Sequence, residues 1–218
     1  MDAEMPRGFH MSEDYGLSSI LSEIETVLQN ALKGTSGRIR KFLLFQLWDA
    51  WRTCVAISYI VKDAQFNKNI PADAVEVLAR KVLEHAIVSS YVKKHGSSAL
   101  VDRFLKTSAK AFEKSWKIEH HTEDKNLKVK ELPDYRGMAN DVGGELYEIY
   151  SRLSYISHPR TAHPYSLVEY ESKLDPSEFF RKRINNVIPL IINLLNILKL
   201  NFLTNVNEST GKVENEHP

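Results

Sequence analysis

The chain has 218 residues, enough to bury the hydrophobic core of one domain of ordinary size. Hydrophobic residues make up 43% and charged residues 26%, values that are typical of a globular protein. The formal net charge is +1, so the overall charge does not indicate a nucleic-acid or membrane-binding protein. Any such partner would need a local patch of charge.

Cysteine content and the N-terminal sequence indicate where the protein resides. Cys54 is the single cysteine, which excludes an internal disulfide and fits a reducing compartment. Residues 1–14 are acidic and polar, without the apolar stretch of a signal peptide. The longest uncharged runs, at 53–61 and 184–198, are shorter than the ~20 residues that a membrane span requires. We therefore expect a cytoplasmic protein without a membrane partner.

Four helices are predicted in the first half of the chain. Apolar residues recur at helical spacing over 12–33, and Gly34 is expected to end this helix. The second helix, 38–64, has apolar residues on more than one face, which predicts a core helix. The third runs from Pro71 to about residue 94. The fourth continues from 97 or 98 towards 121, and its inward residues are predicted to include Leu100, Val101, Phe104 and Leu105.

The second half alternates polar connections with helices. Residues 122–133 are lysine-rich and predict a mobile loop. A short helix over 134–142 is followed by a glycine pair and a helix over 145–157. The last helix, 176–205, begins with the strong start signal Asp175-Pro176-Ser177-Glu178. It is expected to be central and to kink at Pro189.

These elements predict an all-α fold. No stretch shows the alternation of a strand, and there is no internal repeat or domain linker. We expect a single-domain helical bundle of about five to six main helices over 12–205, between a flexible tail at 1–11 and a disordered tail at 206–218.

The densest group of arginine, histidine and tyrosine lies at 147–164, around the end of the helix over 145–157. Two segments of the chain place an arginine five or six residues before a histidine. Arg80 and His85 would point roughly 140° apart in the middle of a helix. Arg152 and His158 would lie roughly 120° apart in a continuous helix. However, Pro159 pushes His158 out of the α region, so that His158 can fold back over Ser154. Only the second segment is predicted to form a site.

The Arg152-x5-His158 motif, at the end of a late helix in an all-α chain, resembles the HEPN (higher-eukaryote-and-prokaryote nucleotide-binding) superfamily. The pair of segments ARKVLEHAI and YSRLSYISHP also resembles an uncharacterised family of bacterial helical proteins, and the likeness covers about residues 70–165. The resemblance implies metal-independent RNA cleavage across a dimer interface, with no cofactor, in a bacterial toxin or defence effector. It implies that Arg152 binds the scissile phosphate and that His158 acts as acid or base, roles that suit both side chains.

Further residues are candidates for binding. Ser154 lies within the motif, Arg160 and His163 follow it, and Tyr150 could stack on a base or simply pack. Arg80 and Glu84 share a helix face, as a structural ion pair or as part of a charged pocket.

The sequence also bears on two other kinds of function. A metal site is not expected, because the scattered histidines lack the spacing of zinc ligands. The alternative to the ribonuclease is a non-catalytic helical module that binds a partner protein, or forms oligomers, through its apolar last helix.

Overall fold

The computed structural model describes residues 16–64, 72–107, 132–157 and 176–204. These residues form seven helices and no strand, which confirms the all-α single domain but exceeds the five to six helices predicted. In chain order the helices are α1 (Leu17–Leu32), α2 (Arg38–Ala64), α3 (Ala72–His95), α4 (98–107), α5 (Tyr135–Val142), α6 (Glu145–Ser157) and α7 (Pro176–Leu203).

Several predictions concern residues outside these ranges. They include the tails at 1–11 and 206–218, the continuation of α4 towards residue 121 and the loop from 122 to 131.

The boundaries of α5 follow from local chemistry, as the sequence predicts. The Asp134 carboxylate caps the helix by accepting a hydrogen bond from the Gly137 amide at 2.6 Å. Gly143 and Gly144 both have positive φ, 78° and 61°, in the left-handed region that favours glycine. The chain can therefore turn sharply between α5 and α6.

The centre of the bundle is α3, not the last helix as predicted from the sequence. Helix α3 packs against α2, α5, α6 and α7, whereas α7 packs against α1, α2 and α3. The apolar run of α7 still forms much of the core, because Leu194 and Leu195 are fully buried. The helix continues through Pro189, and the predicted kink there stays a prediction.

Buried polar groups join α3 to α7. Glu76 is 4% exposed, and its carboxylate accepts a hydrogen bond from Nε of Arg183 at 2.8 Å. Further along the same contact, the Asn201 amide donates to the hydroxyl of Ser90 at 2.8 Å. A buried carboxylate without a cation would be costly, so the Glu76–Arg183 pair fixes the register of the two helices.

One stretch of α7, Arg183–Leu203, is long and apolar enough to cross a membrane by length and composition alone. The sequence-based expectation that this helix is too short to span a membrane counted only the uncharged run, and it was therefore too strict. About 44% of the most apolar window is buried inside the bundle.

Two helices expose apolar side chains that were predicted to face the core. Leu105 of α4 is 48% exposed, although Leu100 and Val101 are buried as predicted. On α2, Phe45, Trp48 and Tyr59 face solvent. Helix α2 is therefore a core helix on one side only.

Candidate functional site

The contact between α3 and α6 is built around Arg80. Its guanidinium lies over the ring of Tyr150, with 4.1 Å from Cζ to the ring centroid. Nη1 donates hydrogen bonds to the hydroxyl of Ser154 and, at 3.5 Å, to the backbone carbonyl of Tyr150. One cation thus contacts two successive turns of α6, combining a cation–π interaction with charge-assisted hydrogen bonds.

Glu84 completes this cluster from α3 itself. Its Oε1 lies 3.4 Å from Nε of Arg80, and the two side chains are 32% and 17% exposed, respectively. The structure therefore brings together four of the residues predicted to bind: Arg80, Glu84, Tyr150 and Ser154. The contacts of Arg80 are made within the protein, and they hold α6 against α3.

Arg152 lies on the opposite side of α6. Positions 152 and 154 are separated by about 200° of helix rotation, so the side chains of Arg152 and Ser154 point in nearly opposite directions. The buried residues Ile149 and Leu153 fix the inner face of α6, whereas Arg152 is exposed. Among the residues that the structure describes, none forms an ion pair or hydrogen bond with its guanidinium.

The remaining predicted residues, His158, Arg160 and His163, lie outside the described residues. Within the described ranges, no group of three histidine, cysteine or acidic side chains could hold a metal ion.

A cavity of about 770 Å³ adjoins the Arg80 cluster through Glu84. Burial raises the pKa of Tyr135 on its wall, the Glu84 carboxylate raises it further, and the Arg80 guanidinium opposes this shift. The cavity lies among α2, α3, α4 and α5, and its lining consists of Phe42, Phe45, Gln46, Lys81, Glu84, His85, Val88, Phe104, Leu105, Thr107, Leu132, Pro133, Asp134, Tyr135 and Met138.

His85 on the cavity wall faces away from Arg80, as helix geometry predicts. Its Nδ1 lies 2.7 Å from Oε1 of Gln46 on α2, whereas Arg80 contacts α6. Burial lowers the pKa of His85, the charge of Asp49 opposes this effect, and Lys81 adds to it. A neutral imidazole with its proton on Nδ1 donates to Gln46 and leaves Nε2 buried without a partner among the described residues. His85 therefore serves in packing α3 against α2.

Sequence reasoning missed Gln46, Lys81 and Tyr135 as lining residues of the cavity beside the Arg80 cluster. Each lies on a different helix or helix turn, and no short motif links them. The only local signal was the Asp134 cap, which places Tyr135 at the start of α5.

Comparison with protein-family models, curated proteins and solved structures found no match to this chain. The likeness to HEPN proteins therefore rests on the motif at 152–158 and its sequence context.

Proposed function

We propose that the protein is a HEPN-like, metal-independent endoribonuclease in which Arg152 and His158 act on the scissile phosphate. The observation that supports this most is the position of Arg152. It is an exposed arginine without a partner among the described residues, on a helix whose inner face is firmly packed. A free guanidinium fork in this position can form two hydrogen bonds with a phosphate.

The contrast between the two arginines near α6 strengthens the proposal. The guanidinium of Arg80 donates hydrogen bonds to Ser154, Tyr150 and Glu84, so Arg80 stabilises the fold. Arg152 has no such role in the described contacts. A guanidinium without contacts to the described residues is available for binding a ligand.

The proposed chemistry needs only proton transfer and charge stabilisation. The RNA 2′-hydroxyl attacks the adjacent phosphorus and loses its proton, and the 5′-oxygen of the next nucleotide leaves and gains one. His158 serves one of these transfers, and the His158 of a second copy would serve the other in a homodimer. Arg152 stabilises the negative charge that develops on the phosphoryl oxygens. No metal ion is required by these steps.

The test is incubation of the purified protein with total RNA in the presence of EDTA, beside the His158→Ala variant. We expect the wild type to cleave RNA and the variant to be slower by at least ~100-fold, the lower end of what general acid–base catalysis contributes. His85→Ala is the matched histidine control and should retain cleavage when corrected for its folded fraction. Equal cleavage by the wild type and His158→Ala would contradict the proposal. A folded wild type without any cleavage would favour the non-catalytic interaction module.

A further inference from the structure

The outer face of α2 carries exposed cationic and aromatic side chains that have no part in the proposed α6 motif. We define this face by six exposed residues: Lys41, Phe45, Trp48, Arg52, Tyr59 and Lys62. Their spacings of three, four and seven residues keep them on one side of the helix. The face extends over about 32 Å, at 1.5 Å per residue.

The composition of this face is unusual for a solvated helix surface. Phe45 is 58%, Trp48 38% and Tyr59 69% exposed, and these are the exposed large hydrophobic residues of α2. The exposed side chains described on this helix are cationic or aromatic, apart from Ala56. Asp49 is half-buried, and its charge acts on His85 at the cavity wall. The result is one side of the helix on which three cations are interspersed with three flat aromatic rings.

The first turn of α2 adds to the positive charge. It contains no acidic residue, although acidic residues are favoured at a helix N-terminus and cations are disfavoured there. Arg38 is paired with Asp102 of α4, and Arg40 lies over the ring of Phe202 at 5.5 Å. Lys41 has no ion-pair partner among the described residues, so its charge is available to a ligand at the start of the face.

Repulsion between like charges disfavours a second copy as the occupant of this face. The midpoint between Lys41 and Lys62 falls next to Arg52. If two such faces packed antiparallel, Arg52 would oppose Arg52 and Lys41 would oppose Lys62. A parallel arrangement would also oppose like charges, which is destabilising. The occupant should therefore be an anion with groups that stack on aromatic rings.

We propose that the outer face of α2 binds single-stranded RNA. Exposed rings interleaved with cations match this ligand, because the bases stack on the rings while Lys and Arg contact the phosphates. A duplex fits less well, because its bases are already stacked on one another. Helix α6 packs against α3 and α5, so the proposed binding face is a separate surface from the α6 motif. The proposal goes beyond the proposed ribonuclease and holds whether or not that motif is catalytic.

The test is fluorescence anisotropy with a labelled 2′-O-methyl oligouridine of about 15 nucleotides, within the ~4–16 nucleotide range of single-strand sites. The probe has no free 2′-hydroxyl and cannot be cleaved by the proposed chemistry, so binding is measured apart from nuclease activity. Trp48→Ala and Tyr59→Ala should each weaken binding at least ~5-fold, the low end of stacking contributions. Arg52→Gln should make the slope of log K against log salt shallower by ~0.7.

Two exposed residues on other helices provide matched controls. Arg136→Gln on α5 changes an exposed arginine, and Leu200→Ala on α7 changes a side chain that is 55% exposed. Both variants should bind the probe like the wild type. Circular dichroism should show that all variants are folded, since the changed side chains of α2 face solvent.

Three results would overturn the proposal. The first is no binding of the probe at about 100 μM protein, the weak end of non-specific nucleic-acid binding. The second is an equal loss of affinity in Arg136→Gln and Arg52→Gln, which would indicate attraction by general charge. The third is polyglutamate or a second protein copy occupying the face instead. In the polyglutamate case, binding of polyglutamate would be weakened by Trp48→Ala as much as binding of the RNA probe. In the case of a second copy, sedimentation would show a dimer that dissociates in Trp48→Ala.

Discussion

Replacing Arg80 by alanine should destabilise the fold, because this side chain joins α3 to α6. The variant loses the cation–π contact with Tyr150, worth about 0.5–2 kcal/mol, and the hydrogen bond to Ser154, worth about 1.5–3 kcal/mol. The ion pair with Glu84 is a third exposed on the carboxylate side and adds less than about 1 kcal/mol. Since such terms are not additive, we expect a loss of about 2–4 kcal/mol in the free energy of unfolding.

Urea unfolding followed by circular dichroism measures this loss. For a chain of this length, the same change should lower the melting temperature by about 5–15 °C. Arg152→Ala is the matched control, because its exposed side chain should change stability by less than about 0.5 kcal/mol. A double-mutant cycle with Ser154→Ala should show coupling with Arg80. Equal stability of the wild type and Arg80→Ala would refute the structural role of Arg80.

Two further predictions concern the core and its pH dependence. Leu194→Asp should abolish soluble, cooperative folding, because an unpaired buried charge costs several kcal/mol against a total stability of about 5–15 kcal/mol. A soluble variant with a cooperative urea transition would show that α7 is not core. Burial lowers the pKa of His85 in the folded state, so the unfolded chain takes up this proton at a higher pH than the folded protein does. The contribution of His85 to stability is therefore present above about pH 6.5 and is lost as the pH falls through its lowered pKa. The urea concentration at the unfolding midpoint should decrease as the pH is lowered from about 7.5 to about 5.5. The decrease should be smaller in His85→Gln. The same pH dependence in both proteins would contradict the burial of a neutral imidazole.

The helices could be predicted well wherever local chemistry defines them. The Asp134 cap and the Gly143-Gly144 pair act within a few residues, so α5 and the start of α6 lie where the sequence places them. Helix α2 matches its predicted range for the same reason, since Gly37 precedes it with a φ of 85°. These signals do not depend on how the helices pack.

The packing of the helices depends on long-range contacts that no local pattern contains. Arg80 meets Ser154 across 74 residues of sequence, so the composition of the α3–α6 contact could not be predicted from either helix alone. The many apolar residues of α2 likewise suggested burial on several faces. Only the positions of α1, α3 and α7 around α2 determine that Trp48 and Tyr59 remain exposed.

In the proposed function, Arg152, which has no ion pair or hydrogen bond among the described residues, contacts the RNA phosphate during cleavage. The most direct measurement compares single-turnover cleavage of one defined RNA by the wild type, Arg152→Ala and Arg136→Ala, all in EDTA and at equal folded fraction. If Arg152 has this role, Arg152→Ala should be slower by at least ~100-fold with an unchanged melting temperature, and Arg136→Ala should cleave like the wild type. Cleavage by Arg152→Ala at the wild-type rate, or no cleavage by the folded wild type, would contradict it.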